Sequence, residues 1–203
     1  MTKHELAFAL GYFGSLFGVV MVIPQIARVI RHPGRGGVSA FTWGIMTTSG
    51  LAWLSYGLRT ASLPQVPGNA LLITGASIVT ILVPARLSRR SRMLRMIAAA
   101  SAVLALSWAL PAELVGYLGF SIGLFSSLPQ VYESLGTYRS GVISGVSVTT
   151  WLLRSGSQLC WLGYALLARD IPVLVSAGIG ITTSVTLVAL EGTTRLRAAW
   201  SAA

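Results

Sequence analysis

The sequence predicts an all-α membrane protein of seven transmembrane helices, laid out as two parallel three-helix bundles joined by a linker helix. Three observations carry that expectation: an apolar composition, seven apolar runs split by short polar gaps, and a repeat matching the first three runs to the last three. Hydrophobic residues make up 54% of the 203 and charged residues only 10%, and the mean hydropathy is +0.73. An average soluble domain is nearer a quarter charged. One soluble domain could not hide so much apolar surface, which excludes a soluble enzyme. The net charge of +10 would suit a nucleic acid only as a basic face on a soluble fold. Here the charges sit in gaps between apolar runs, so no nucleic-acid partner is expected.

One spanning helix takes about 20 apolar residues. The runs fall at roughly 6–27, 40–58, 65–84, 94–110, 113–132, 147–167 and 172–190. The first is too long for a signal peptide and ends in Pro24-Gln25 and a basic loop, not a small-residue cleavage site. Cys160 is the single cysteine, and His4 and His32 are the only histidines, both in polar flanks. Neither an intrachain disulfide nor a metal cluster can be built from these residues, and no cofactor is called for. The 22 glycines exceed the usual ~7%, as expected where helices pack closely in lipid.

Basic residues set the expected orientation. With the amino terminus outside, Arg28, Arg31, Arg35, Arg86, Arg89, Arg90, Arg92, Arg95, Arg139, Arg195 and Arg197 lie inside, and only Lys3, Arg59 and Arg169 outside. That asymmetry places the amino terminus out and the carboxyl terminus in. The Arg86–Arg95 run is expected to sit against anionic headgroups. Fourteen Arg against one Lys, with abundant Ala and Gly, points to a GC-rich bacterial genome and a cytoplasmic membrane.

The chain repeats itself. At an offset of 105, Gly11, Tyr12, Gly14, Gly18, Pro24 and Gln25 match Gly116, Tyr117, Gly119, Gly123, Pro129 and Gln130. After a three-residue shift, an offset of 108 pairs Gly37-Val38-Ser39, Thr42, Trp43, Ser49, Trp53 and Tyr56 with Gly145-Val146-Ser147, Thr150, Trp151, Ser157, Trp161 and Tyr164, among other matches. Apolar bias alone does not align Trp, Tyr, Pro and Gln in order. Each copy holds an odd number of helices, and the unmatched fourth run restores its orientation, so the copies are parallel about an axis normal to the membrane. The expected units are 1–92, a linker helix at 93–111, and 112–203 with a short tail.

Both first helices carry Gly-xxx-Gly, read as packing within each triplet. Pro24 and Pro129 lie deep in their helices, where proline frees the carbonyl four residues back. Pro24, Gln25, Pro129 and Gln130 are therefore candidate hinges for rocking one bundle against the other. Pro64-Gln65, in an outer loop, has Pro172-Val173 as its counterpart and is taken as coincidence. On each second helix Ser49, Trp53 and Tyr56, and likewise Ser157, Trp161 and Tyr164, share one face. The mid-span Trp pair is expected to line a polar cavity, and the Tyr pair to join the outer aromatic belt.

A first helix ending in Pro-Gln, a basic loop ending in Gly-Val-Ser, and a second helix with Trp-Leu-x-Tyr resemble the PQ-loop superfamily, and within it the SWEET and SemiSWEET sugar transporters. The likeness covers nearly the whole chain and implies a three-plus-one-plus-three carrier with its substrate between the triplets. It also implies a Trp of the second helix and an Asn of the third as contacts, which fall on Trp53, Trp161 and Asn69. The counterpart of Asn69 is Ala177, so a symmetric pair of Asn is missing. Asn69 lies near the outer end of its helix, and a plain interfacial role stays open.

Arg154 stands inside a span, where a charge costs about 2.5 kcal/mol or more unless paired or hydrated. It either snorkels to the headgroups or enters the cavity near Gln158 to meet a polar or anionic solute. Glu5, Glu113, Glu133, Asp170 and Glu191 all fall near expected span ends, which favours uncoupled movement over proton-driven transport. The expected function is a passive alternating-access carrier of a small polar solute, first a mono- or disaccharide. A carrier of amino acids or another small polar metabolite, and a non-transporting membrane receptor or assembly partner, are the alternatives, and no catalytic set can be assembled. The expected partners are that solute and the lipid bilayer, with self-association left open.

Overall fold

Seven helices form in the order the apolar runs require: α1 Lys3–Arg31, α2 Ala40–Arg59, α3 Gln65–Leu82, α4 Arg89–Ala109, α5 Ala112–Ser140, α6 Val148–Ala168 and α7 Ile171–Ser201. The computed structural model describes residues 2–31, 40–83, 87–140 and 148–201, without the side chains at 22, 24–26, 28–30, 129, 130, 133, 137 and 201. The two Gly-Val-Ser loops fall outside those residues. By length and hydropathy α1, α3, α4 and α7 can cross a membrane. The others are more polar or shorter in their apolar part: α2 carries Thr47, Thr48 and Ser49, α6 carries Arg154, Ser155, Ser157 and Gln158, and the apolar stretch of α5 is Ala112–Leu128. Large apolar side chains such as Phe13, Leu16, Phe41, Leu58 and Trp108 stand exposed around the outside, the surface a lipid-facing belt presents.

Within each triplet the third helix lies between the first two: α3 packs on α1 and α2, and α7 on α5 and α6. The triplets meet crosswise, α1 on α6 and α2 on α5, and this closes a ring of six helices. Their sense follows from the glycines. Gly11, Gly14 and Gly18 face Tyr164, Trp161 and Ser157, and Gly116, Gly119 and Gly123 face Tyr56, Trp53 and Ser49. Thus α1 runs antiparallel to α6 and α5 antiparallel to α2, and α1 and α5 start on the same face. The copies are parallel, as the odd helix count demands.

These contacts correct the expected role of the Gly-xxx-Gly pairs, which join the two triplets instead of tightening each one. A Cβ on Gly11 would sit 2.6 Å from Cβ of Pro64, and one on Gly116 2.6 Å from Cβ of Pro172. The repeat therefore also extends to the prolines taken as coincidence. It reaches the turns as well: Ala61 and Arg169, 108 positions apart, both take left-handed φ, 53° and 57°.

α4 lies outside the ring against α2, α3 and α5. Two arginines fasten it. Arg59 donates to the carbonyls of Ser107 and Leu110 at one end. At the other, Arg92 donates to the carbonyls of Thr80 and Val83 at 2.6 and 2.5 Å, a cation at the negative end of α3. Arg92 is 8% exposed, so this member of the basic run turns inward and not to headgroups. Ser88 caps α4 by accepting from Ser91 N–H, which starts that helix several residues before its apolar stretch. α5 and α7 outrun their apolar spans for another reason: they stay paired, with the Ser134 hydroxyl donating to Glu191 at 2.6 Å and Arg197 over the Tyr138 ring at 4.6 Å. Glu191, 1% exposed, is thus buried between helices and not left at a free span end.

Gly11→Ala and Gly116→Ala should each destabilise the protein by about 1–3 kcal/mol through overpacking. Gly136→Ala and Gly156→Ala, where an added Cβ meets nothing within 4 Å, should gain about 0.5–1 kcal/mol. Thermal melts in one detergent compare the pairs, and equal responses would contradict the crosswise packing.

Candidate functional site

Because first helices pack on second helices of the opposite copy, each Ser-x₃-Trp-x₂-Tyr stripe faces the glycines of the opposite first helix. Each residue of the stripe does something different. The serines cross-link: Ser49 Oγ donates to the Gly119 carbonyl and Ser157 Oγ to the Gly14 carbonyl, both at 2.8 Å. Bare glycine permits that approach. The indoles lie on Gly14 and Gly119 and make edge contacts with the tyrosines, 5.8 Å between Trp53 and Tyr56 and 5.5 Å between Trp161 and Tyr164.

The tyrosines close one end. Tyr56 is 4% and Tyr164 3% exposed, so neither stands in a lipid-facing aromatic belt. Tyr56 OH donates to Asp170 Oδ1 at 2.7 Å, and Tyr164 OH shares a 2.5 Å hydrogen bond with Ser62 Oγ. Ser62 and Asp170 are equivalent positions in the two repeats, so the locks are symmetric in place and differ in chemistry. Gln65 extends the Ser62 lock through an Nε2 donation to Ser62 Oγ at 3.0 Å. Burial pushes the Asp170 carboxyl above the ordinary carboxylate value, opposed by the hydrogen bonds from Tyr56 and the Val173 N–H.

Beyond the locks lies a cavity of about 220 Å³. Trp53 and Trp161 line it, with Ser49, Gln65, Asn69, Gln158 and Arg154 supplying polar atoms and Phe120, Leu72 and Val173 apolar walls. Asn69 donates from Nδ2 to the Gln65 carbonyl at 2.8 Å, which leaves its side-chain oxygen available. Ala177 occupies the equivalent point opposite. Gln158 packs on Gly180, where a Cβ would collide with it.

Of the expected site residues, Trp53, Trp161, Asn69, Ser49, Gln158, Ala177 and Arg154 meet at this cavity. Ser157 does not line it. Its hydroxyl is held by the Gly14 carbonyl and it is 6% exposed, much as Ser49 is held by the Gly119 carbonyl and 7% exposed. α1 and α5 continue as helices through Pro24-Gln25 and Pro129-Gln130, and those four side chains lie outside the described residues. Gln65, Ser126, Ser127, Ser176 and Thr183 also line the space and were not expected there. The readable signal for Gln65 was its place one turn before Asn69 on the same helical face. The serines and Thr183 had none, because apolar helices spend such hydroxyls equally well on their own carbonyls, as Ser126 does on Gly123.

Fold and site together define a multi-pass membrane protein: two parallel helix triplets, a linker helix, and a polar cavity between the triplets. Among solved structures, the chain is similar to a eukaryotic SWEET transporter, with a TM-score of 0.80 over 96% of this chain and 99% of that one. Sequence identity is 15%, so the likeness is one of fold. No protein-family model matches the sequence and no curated protein does.

Tyr56→Phe should cost about 1.5–3 kcal/mol, the worth of a hydrogen bond to a charged group. The pH dependence has a definite sign. With its pKa raised in the folded state, Asp170 contributes stability that is complete below the unfolded value of about 3.9 and is lost as pH climbs through the higher folded value. The melting temperature of the wild type relative to Asp170→Asn should therefore fall across that interval, and a rise would refute the assignment.

Proposed function

We propose that this chain is a transporter, a passive alternating-access facilitator that moves a small polar solute, most simply a sugar, across a membrane. The observation that carries the reading is the cavity between the parallel repeats, walled by one indole from each. Indole faces suit the C–H face of a pyranose, and Asn69, Gln65 and Gln158 can donate to and accept from hydroxyls. A volume of about 220 Å³, below the roughly 300–1,000 Å³ of drug-sized pockets, favours a monosaccharide over a disaccharide. The fold shared with a eukaryotic SWEET transporter supports the same class.

The basic residues argue that the face closed by Tyr56–Asp170 and Tyr164–Ser62 is the outer one, with both termini placed by the positive-inside bias. Among the described residues α1 and α5 make no contact with each other, so their distal halves are free to approach when the locks break. Pro24-Gln25 and Pro129-Gln130 are the hinges in this reading. Uncoupled movement is supported by a lining that includes no carboxylate among the described residues. The same absence weighs against an amino acid, whose ammonium group would find no counter-charge.

Proteoliposome flux tests the proposal. Trp53→Ala and Trp161→Ala should abolish movement of the solute, and Trp161→Phe, which keeps the packing on Gly14, should slow it at least tenfold. Retained partner binding by a protein with no flux for any sugar or amino acid would favour a receptor. Uptake should ignore an imposed pH gradient, and proton-driven accumulation would overturn the passive mechanism.

A further inference from the structure

Arg154 is the one charged residue among the described residues that line the cavity. It makes no hydrogen bond or ion pair among them, and its Nε is buried without a partner. Its guanidinium carbon lies 5.3 Å from the centre of the Trp151 ring, and Trp151 is itself 5% exposed. The aromatic face holds the cation in place without neutralising it. A side chain that snorkelled would reach past the helix end to headgroups; this one contributes to the wall of the central space. The equivalent position in the first repeat is Met46, which also lines the cavity. The charge is therefore present on one side only, whereas the two tryptophans are paired about the twofold.

Resting on the carrier reading above, we propose that the solute is a monoanionic polyol, a hexuronate-like sugar acid, whose carboxylate is received by Arg154. A guanidinium presents two parallel N–H donors that match a carboxylate, and one fixed cation balances one negative charge. A sugar phosphate, at about −1.5 to −2 near neutral pH, would leave charge unbalanced in a cavity that offers no second cation among the described residues. Arg154 lies seven residues from Trp161 along α6, about 10 Å at the helical rise. That separation lets a pyranose ring rest between Trp53 and Trp161 while its carboxylate points along α6 to Arg154. Compensation of a charge that the described residues do not supply would then arrive with the solute, which balances Arg154 and orients the solute.

The test uses the purified full-length protein, with half-maximal thermal shift and counterflow in proteoliposomes as readouts. Glucuronate should bind at least tenfold more tightly than its methyl ester, a neutral ligand of nearly the same shape, and more tightly than glucose 6-phosphate. In Arg154→Met, which places the residue found at the equivalent position, the ratio of acid to ester should collapse to within twofold of one; Arg154→Lys should keep a smaller preference. A wild-type ratio near one, or tighter binding of the phosphate, overturns the proposal. Because the first comparison needs no variant, misfolding of Arg154→Met would not blunt it. Neutral glucose binding that Trp161→Phe weakens, together with a ratio of one, would sink the carboxylate assignment and leave the carrier standing. Should no sugar of either charge bind or move, and Trp161→Phe change nothing, the carrier itself would fall.

Discussion

Two grooves of bare glycine, one per repeat, receive the Ser-Trp-Tyr stripe of the opposite second helix, and the rest of the molecule depends on that interlock. Lipid tails are as apolar as leucine, so burying apolar surface gives helices no reason to associate within a bilayer. Close packing and hydrogen bonds must do it. Gly14 and Gly119 let indoles lie flat on a helix backbone, and their carbonyls accept from Ser157 and Ser49. The same contact sets the sense of the two copies and brings one indole from each to the cavity.

One stripe does three jobs because helical periodicity stacks its residues at successive depths. Serine fastens the middle, tryptophan walls the cavity, and tyrosine seals one end against Ser62 or Asp170. Structure and function are consequently hard to separate at Trp53 and Trp161, which are packing residues on one face and lining residues on the other. The molecule departs from its own symmetry at equivalent positions: Asp170 matches Ser62, Asn69 matches Ala177, and Arg154 matches Met46. Duplication supplies a common framework, and these unmatched pairs make its two halves chemically unlike.

The linker helix restores orientation and is held by polar contacts at both ends. Arg59 and Arg92 reach carbonyls at opposite ends of the bundle, a way of docking α4 that needs little shape complementarity. By contrast α5 and α7 remain paired beyond their apolar spans through Ser134–Glu191 and Tyr138–Arg197.

How much was legible in the sequence follows from what each signal measures. Apolar runs report contact with lipid, so they gave the seven helices but cut α5 and α7 short, where pairing with each other replaces lipid. Identity at fixed offsets reports duplication, and with an odd helix count it determined the parallel three-plus-one-plus-three layout and the approximate place of the Trp pair. Only tertiary structure decided that first helices pack across the interface, that the tyrosines turn inward, and that Arg154 is among the lining residues while Ser157 is not. Periodicity assigns a residue to a helical face and cannot say which neighbour that face will meet, because in a ring of similar helices the choice is made by the fit of backbones brought together from distant parts of the chain.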